Sequence, residues 1–182
     1  KAMFFMAKIG EDDYQPVMVL MRGNDEVNEA KVTDALGCEE LTLATEEQAV
    51  KYLGAHPGSL GPVGVGEDVK ILADNYVKVL VNMACGANDD GHHYINANID
   101  RDFRGDEFGA FRNVKEGEIA PDGHPIKFTP GIEIGHIFKL GTHYSDKFGA
   151  QVLNENGRLV DVIMGCYGIG VTRLLSAVAE QN

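Results

Sequence analysis

The chain has 182 residues, 44% of them hydrophobic and 24% charged, the composition of an ordinary globular protein that buries a core without a disulfide framework. The net charge is −12, with 12 basic and 23 acidic residues up to position 128 and 4 and 5 after it, which argues against a broad basic face gripping nucleic acid. The three cysteines, Cys38, Cys85 and Cys166, are widely spaced and form no C-x-x-C pair, a pattern that fits a reducing compartment. No apolar run approaches 20 residues and no signal peptide is apparent, so neither export nor a membrane span is expected. Both ends fall directly against regular apolar runs, so the chain reads as an excised segment.

In chain order, residues 2–7 and 17–21 are short apolar runs separated by a polar stretch, which predicts two paired strands. Asn24 or Asp25 is positioned to cap a helix over 26–36, and Gly37 to end it. Residues 41–43 read as a short strand. Thr45 and Gln48 have capping-box spacing, so a helix should run to about Leu53. Glycine and proline punctuate residues 56–66 too densely for regular structure. Strands are expected at 69–72 and 77–83, the second with helix as an alternative, and at 93–99, after a loop over 86–91. Residues 104–128 are polar and glycine-rich, with weak structure.

The texture changes after Pro130, and a domain boundary is placed near 128–130. Residues 131–140 read as a strand, 151–153 and 159–164 as a hairpin, 165–170 as a glycine-rich turn and 171–180 as a helix. His136 and His143 are seven apart and on a strand would face opposite ways. The same holds for the neighbours His92 and His93, so no metal site is read. Cys166 reads as a small buried residue near a ligand rather than a nucleophile.

Gly165, Cys166, Tyr167, Gly168, Ile169 and Gly170, followed by Arg173 inside a helix, match neither a P-loop nor a dinucleotide fingerprint. The string resembles motif 3 of class II aminoacyl-tRNA synthetases. Residues 131–142 with 164–170 look specifically like bacterial-type prolyl-tRNA synthetases. The resemblance implies that Arg173, with Gly168 and Gly170, contacts ATP, and that His136, Phe138, Gly165 and Cys166 lie at the proline pocket. No stretch matches the arginine-bearing motif 2, so the fragment is not expected to activate proline alone.

Residues 1–128 resemble the editing domain inserted in these synthetases and, more remotely, free-standing YbaK-type deacylases. The resemblance rests on Lys1, on the G-x-x-x-P loop formed by Gly58, Ser59, Leu60, Gly61 and Pro62, on Gly86, Ala87 and Asn88, on residues 93–98, and on Arg101 and Asp102. Ala2 stands where threonine is common. The resemblance implies hydrolysis of the ester in alanyl-tRNA for proline, because a proline pocket cannot exclude the smaller alanine by size. The 58–62 loop would supply amides around the ester, Lys1 would hold the tRNA 3′ end, and His93 would line the amino-acid pocket. Ser59 has no evident base to make it a nucleophile. The alternative is a non-hydrolytic module that holds the acceptor end and positions domains.

The fold class expected is α/β: a YbaK-like editing domain over 1–128, with a mixed, partly barrel-like sheet and outer helices. Antiparallel strands and a helix of a class II catalytic domain would follow over 129–182. For the full enzyme the resemblance implies Mg-dependent use of ATP, tRNA for proline, proline and alanine as partners or substrates, a homodimer and a cytoplasmic location. It implies no cofactor for editing.

Overall fold

The computed structural model describes residues 1–182, which divide into two compact units, Lys1–Glu118 and Ile119–Asn182. In the first unit, β1 (Ala2–Lys8) and β2 (Tyr14–Leu20) pair antiparallel, Phe5 opposite Val17, as their apolar runs predict. β3 (Glu40–Leu43) adds to the free edge of β1, while β4 (Lys70–Asp74) and β7 (Glu107–Gly109) add in parallel beyond β2. The result is a mixed five-stranded sheet in the order β3-β1-β2-β4-β7.

Both faces of this sheet are covered, because its central strands are apolar at successive positions rather than at alternate ones. Phe4, Met18, Leu20, Ile71 and Ala73 pack on one side with Ala49 and Leu53 of α2 (Glu46–Leu53). Phe5, Val17, Val19 and Leu72 pack on the other with Val32 of α1 (Glu29–Leu36). Thr45 and Gln48 form the expected capping box at the start of α2. Leu60 and Phe103 join the first of these clusters and Val63 and Val65 pack against it, so the glycine-rich segment is anchored in the core at several points.

Helix α1 starts later than the sequence suggests. Its N-cap is Asn28, whose side chain accepts from the Lys31 amide, rather than Asn24 or Asp25. Asp25 is committed elsewhere: its carboxylate is fully buried and bound by Arg22 and Lys115. The strand expected over 77–83 is also corrected. Residues Val77–Val79 form one 3-10 turn, introduced where the Asp74 carboxylate accepts from the Tyr76 amide, and β5 (Met83–Gly86) begins only after Asn82, which has φ 54°. Gly86, expected in a loop, ends that strand. β5 pairs antiparallel with β6 (His93–Ala97) as a separate two-stranded ribbon.

In the second unit, β8 (Gly135–Gly141) and β11 (Met164–Ile169) form an antiparallel ribbon, and β9 (Gln151–Leu153) pairs with β10 (Leu159–Asp161) as the expected hairpin. The glycine-rich turn expected over 165–170 is therefore a strand: Gly165, Cys166 and Gly168 lie in β11, where ladder bonds to β8 satisfy the backbone. Residue 164 belongs to this strand and not to the hairpin. Helix α3 (His143–Phe148), missed in the sequence, has no side-chain cap and ends at Gly149 in the left-handed region. His143 is thus helical, and the opposite-faces argument for His136 and His143 does not apply. Helix α4 (Val171–Gln181) follows as expected. No helix is long and apolar enough to cross a membrane.

Candidate active site

The 58–62 loop lies directly on the end of β5. A Cβ on Gly61 would stand 1.8 Å from the Gly86 carbonyl oxygen, and one on Gly86 would stand 2.2 Å from that of Leu60. Only two glycines facing each other permit this backbone-on-backbone contact. Gly58 needs its missing side chain for another reason: its φ is 108°.

Around this contact, the segment after β5 folds back over the loop. The Asn88 amide donates to the Ser59 carbonyl at 2.9 Å, and the Gly91 amide donates to Ser59 Oγ at 2.9 Å. The side-chain Oδ1 of Asn88 accepts from the Gly61 amide at 2.8 Å, and its Nδ2 donates to the carbonyls of Gly61 and Val63. His56, just before the loop, joins the same segment: its amide and Nδ1 both bond the Asp90 carboxylate, the latter at 2.6 Å. The Asp90 hydrogen bond raises the His56 pKa above the usual imidazole range. The His56 amide and ring together lower that of Asp90.

These bonds decide which loop amides are available. The Ser59 amide donates to the His56 carbonyl and the Gly61 amide to Asn88, while those of Gly58 and Leu60 make no hydrogen bond within the chain. Ser59 is buried, and its hydroxyl oxygen accepts from Gly91, so it has a structural place in the loop.

Lys1 and Pro62 meet at one small cavity of about 30 Å³, whose apolar wall includes Leu20, Val77, Met83 and Phe103. Space of this order admits a water or a methyl-sized group. Cys85 also lines it, half-buried, and burial pushes its thiol pKa up, which keeps it protonated. Lys1 extends the β1–β2 ladder, its carbonyl accepting from the Met21 amide, and its side chain is exposed. His93 is exposed on β6 directly opposite Gly86, on the ribbon face that meets the loop, and it does not line the cavity. His92 instead turns to Asp89, at 3.0 Å.

Sequence reasoning passed over three supports of this region. Asn88 was part of a recognisable string without a role, and His56 had none. Arg104 ties down residues 65–69 by donating to the carbonyls of Val65, Gly66 and Val69 while bonding Asp106. Nothing in the local pattern marks an arginine whose carbonyl partners lie more than 30 residues away. Arg101, by contrast, forks onto its neighbour Asp102 and reaches the Asn96 carbonyl, fixing the turn after β6.

The second unit collects its residues on the β8–β11 ribbon. His136 and Phe138 stack with ring centroids 4.1 Å apart, and Gly168 and Cys166 stand opposite them in register, on the same face; Cys166 is exposed there, not buried as expected, because the ribbon has no covering layer. Gly165 is opposite Lys139 and belongs to the other face. Gly170 precedes α4, and Arg173 in its first turn donates to the Glu133 carbonyl at 2.7 Å.

Proteins similar to this one include the proline–tRNA ligases of Limosilactobacillus reuteri (strain DSM 20016), 83% identical, and of Limosilactobacillus fermentum, 70% identical; each match covers 100% of this chain and 32% of the relative. That of Levilactobacillus brevis is 62% identical over 100% of this chain and 31% of the relative. The chain thus spans about a third of the length of the curated relatives it matches. A solved structure of a hypothetical protein, APE2540, aligns with a TM-score of 0.46 at 14% identity, covering 54% of this chain and 61% of the other. The aminoacyl-tRNA editing domain family matches residues 1–103, a span that contains Lys1, the 58–62 loop, Asn88 and His93. More than half of the chain, including the whole loop-and-cavity arrangement, is accounted for by that match, and the chain belongs to the aminoacyl-tRNA editing domain family.

Proposed function

We propose that residues 1–128 form an esterase that removes alanine from mischarged tRNA for proline, within a full-length proline–tRNA ligase. The observation that carries this reading is the meeting of Lys1 and Pro62 at one cavity of methyl-group size inside the matched span. An alanine methyl fits such a space, whereas a pyrrolidine ring must displace the side chains that line it, which costs about 1–3 kcal/mol. Proline would therefore be spared at the site where alanine is cleaved.

The reaction adds water to the ester carbonyl. The water oxygen forms a bond to that carbon, the oxyanion collapses, and the ribose oxygen leaves with a proton, giving alanine and free tRNA. The amides of Gly58 and Leu60 supply donors for the oxyanion. The exposed Lys1 ammonium holds the anionic 3′ end, and His93 bounds the amino-acid side from β6. The adjacent ribose hydroxyl helps to place the water.

Residues 129–182 belong, in this reading, to the class II catalytic domain, with His136, Phe138, Gly165 and Cys166 at the proline pocket. Gly168, Gly170 and Arg173 would lie at ATP, which supplies the energy for proline activation together with magnesium. Arg173, in the first turn of α4, suits one phosphate contact. The full-length protein would be a cytoplasmic homodimer, and the editing part a YbaK-like, partly barrel-like sheet; the ligase names of the relatives and the family match support the ligase and editing roles.

Lys1→Ala and His93→Ala test the assignment. The first should slow alanyl-tRNA cleavage mainly through KM, and the second should narrow the preference for alanine over proline. If both variants keep the parent's rate and selectivity, the site lies elsewhere.

A further inference from the structure

Asn88 holds a left-handed backbone, φ 54°, at the point where the segment after β5 crosses the 58–62 loop. Its carboxamide pairs with both peptide groups of Gly61, accepting from the N–H and donating to the C=O, and its second donor reaches the Val63 carbonyl. Its own amide takes the Ser59 carbonyl. One residue therefore fixes the loop at Ser59, Gly61 and Val63. This arrangement needs a donor and an acceptor on one short side chain that tolerates positive φ, a combination specific to asparagine. Aspartate keeps the acceptor and presents a second oxygen to two carbonyls. Glutamine carries the carboxamide one methylene too far. The neighbouring contacts reinforce the clamp: Gly91 on Ser59 Oγ and Asp90 on His56 come from the same short segment.

We propose that Asn88 is the positioning residue of the ester-cleaving loop. It engages the Gly61 amide internally, and it sets the loop so that the Gly58 and Leu60 amides face the oxyanion. This inference rests on the esterase reading above. It adds that loop geometry, and through it the preference for alanine, is set by a side chain that does not itself touch the ester.

Three variants of the full chain test it: Asn88→Ala, Asn88→Asp and Asn88→Gly. Each should lower kcat for alanyl-tRNA, on the order of 10²-fold, because a displacement of about 1 Å in a donor array has that effect, while KM stays near the parent value. The alanine-to-proline preference should narrow in all three. Asn88→Gly separates positioning from simple stability, since glycine adopts positive φ freely: it should recover thermal stability lost in Asn88→Ala without recovering kcat. Hydrogen exchange provides a readout independent of catalysis. The peptide spanning 56–63 should exchange faster in the variants, with β1 and β2 unchanged. Folded Asn88→Asp and Asn88→Gly that keep kcat and preference within about twofold of the parent would overturn the proposal. So would unchanged protection of the 56–63 peptide. A parent chain that fails to cleave alanyl-tRNA would instead refute the esterase reading, and the exchange measurement would still decide whether Asn88 holds the loop.

Discussion

Asp25 is fully buried and remains charged because Arg22 and Lys115 both reach its carboxylate, Arg22 Nε at 2.7 Å and Lys115 Nζ at 2.6 Å. Burial raises its pKa, but the hydrogen bonds and charges of Arg22 and Lys115 outweigh it and bring the pKa down to about 2, from 3.8. A pKa depressed on folding contributes stability above the unfolded value, and that stability is lost as pH falls through the folded one. Acid titration of the folded chain should accordingly show stability declining between about pH 4 and pH 2 through this group, and Asp25→Ala should cost about 2 kcal/mol in urea melts at neutral pH, the two partly exposed cations then turning to solvent. The loop glycines make contrasting predictions. Gly61→Ala drives a Cβ into the Gly86 backbone, so it should abolish ester cleavage and destabilise by about 2 kcal/mol. Gly58→Ala meets no atom within 4 Å and bears only the conformational cost of a φ of 108°, about 1–3 kcal/mol, in the same melts.

Among the elements, α2 was the most legible in the sequence, since its capping box and terminal glycine are local signals. Thr45→Ala should lower stability by about 1 kcal/mol, read as a shifted denaturation midpoint at constant slope. Strands β1, β2 and β4 were legible for a different reason, their unbroken apolar runs. Elements whose ends are set by distant partners were not. The start of α1 moves to Asn28 because Asp25 is claimed by Lys115 and the Asn28 amide bonds the Phe111 carbonyl, contacts invisible in a local window. Strand β11 looked like a turn because glycine density signals flexibility, yet pairing with β8 gives those glycines a ladder. At the candidate site, the residues with recognisable strings were found, while the clamp at Asn88 and the Arg104 tie were not, because hydrogen bonds across 25 or more positions leave no periodic trace.

At the scale of the whole molecule, the two units differ in how they are stabilised. Both clusters of the central core lie within Lys1–Glu118, whereas in Ile119–Asn182 only Ser145 and Ala177 are buried. Ile137, Tyr167, Ile169 and Leu175 are largely exposed there, and β8 and β11 form a ribbon with open edges. Native-state hydrogen exchange should therefore find the slowest amides in β1, β2 and β4 and the fastest strand amides in β8 and β11. Slow exchange in β8 together with fast exchange in β2 would contradict this ordering. The first unit is also the one that contains the loop, the cavity and the family match, so it is the part expected to act on an ester. The most direct test is single-turnover deacylation, in which the chain is incubated with alanyl-tRNA and prolyl-tRNA for proline and each ester is followed against buffer alone. The prediction is loss of alanine well above the buffer rate with prolyl-tRNA unchanged. Stable binding of alanyl-tRNA with decay no faster than buffer, or equal loss of both amino acids, would contradict it.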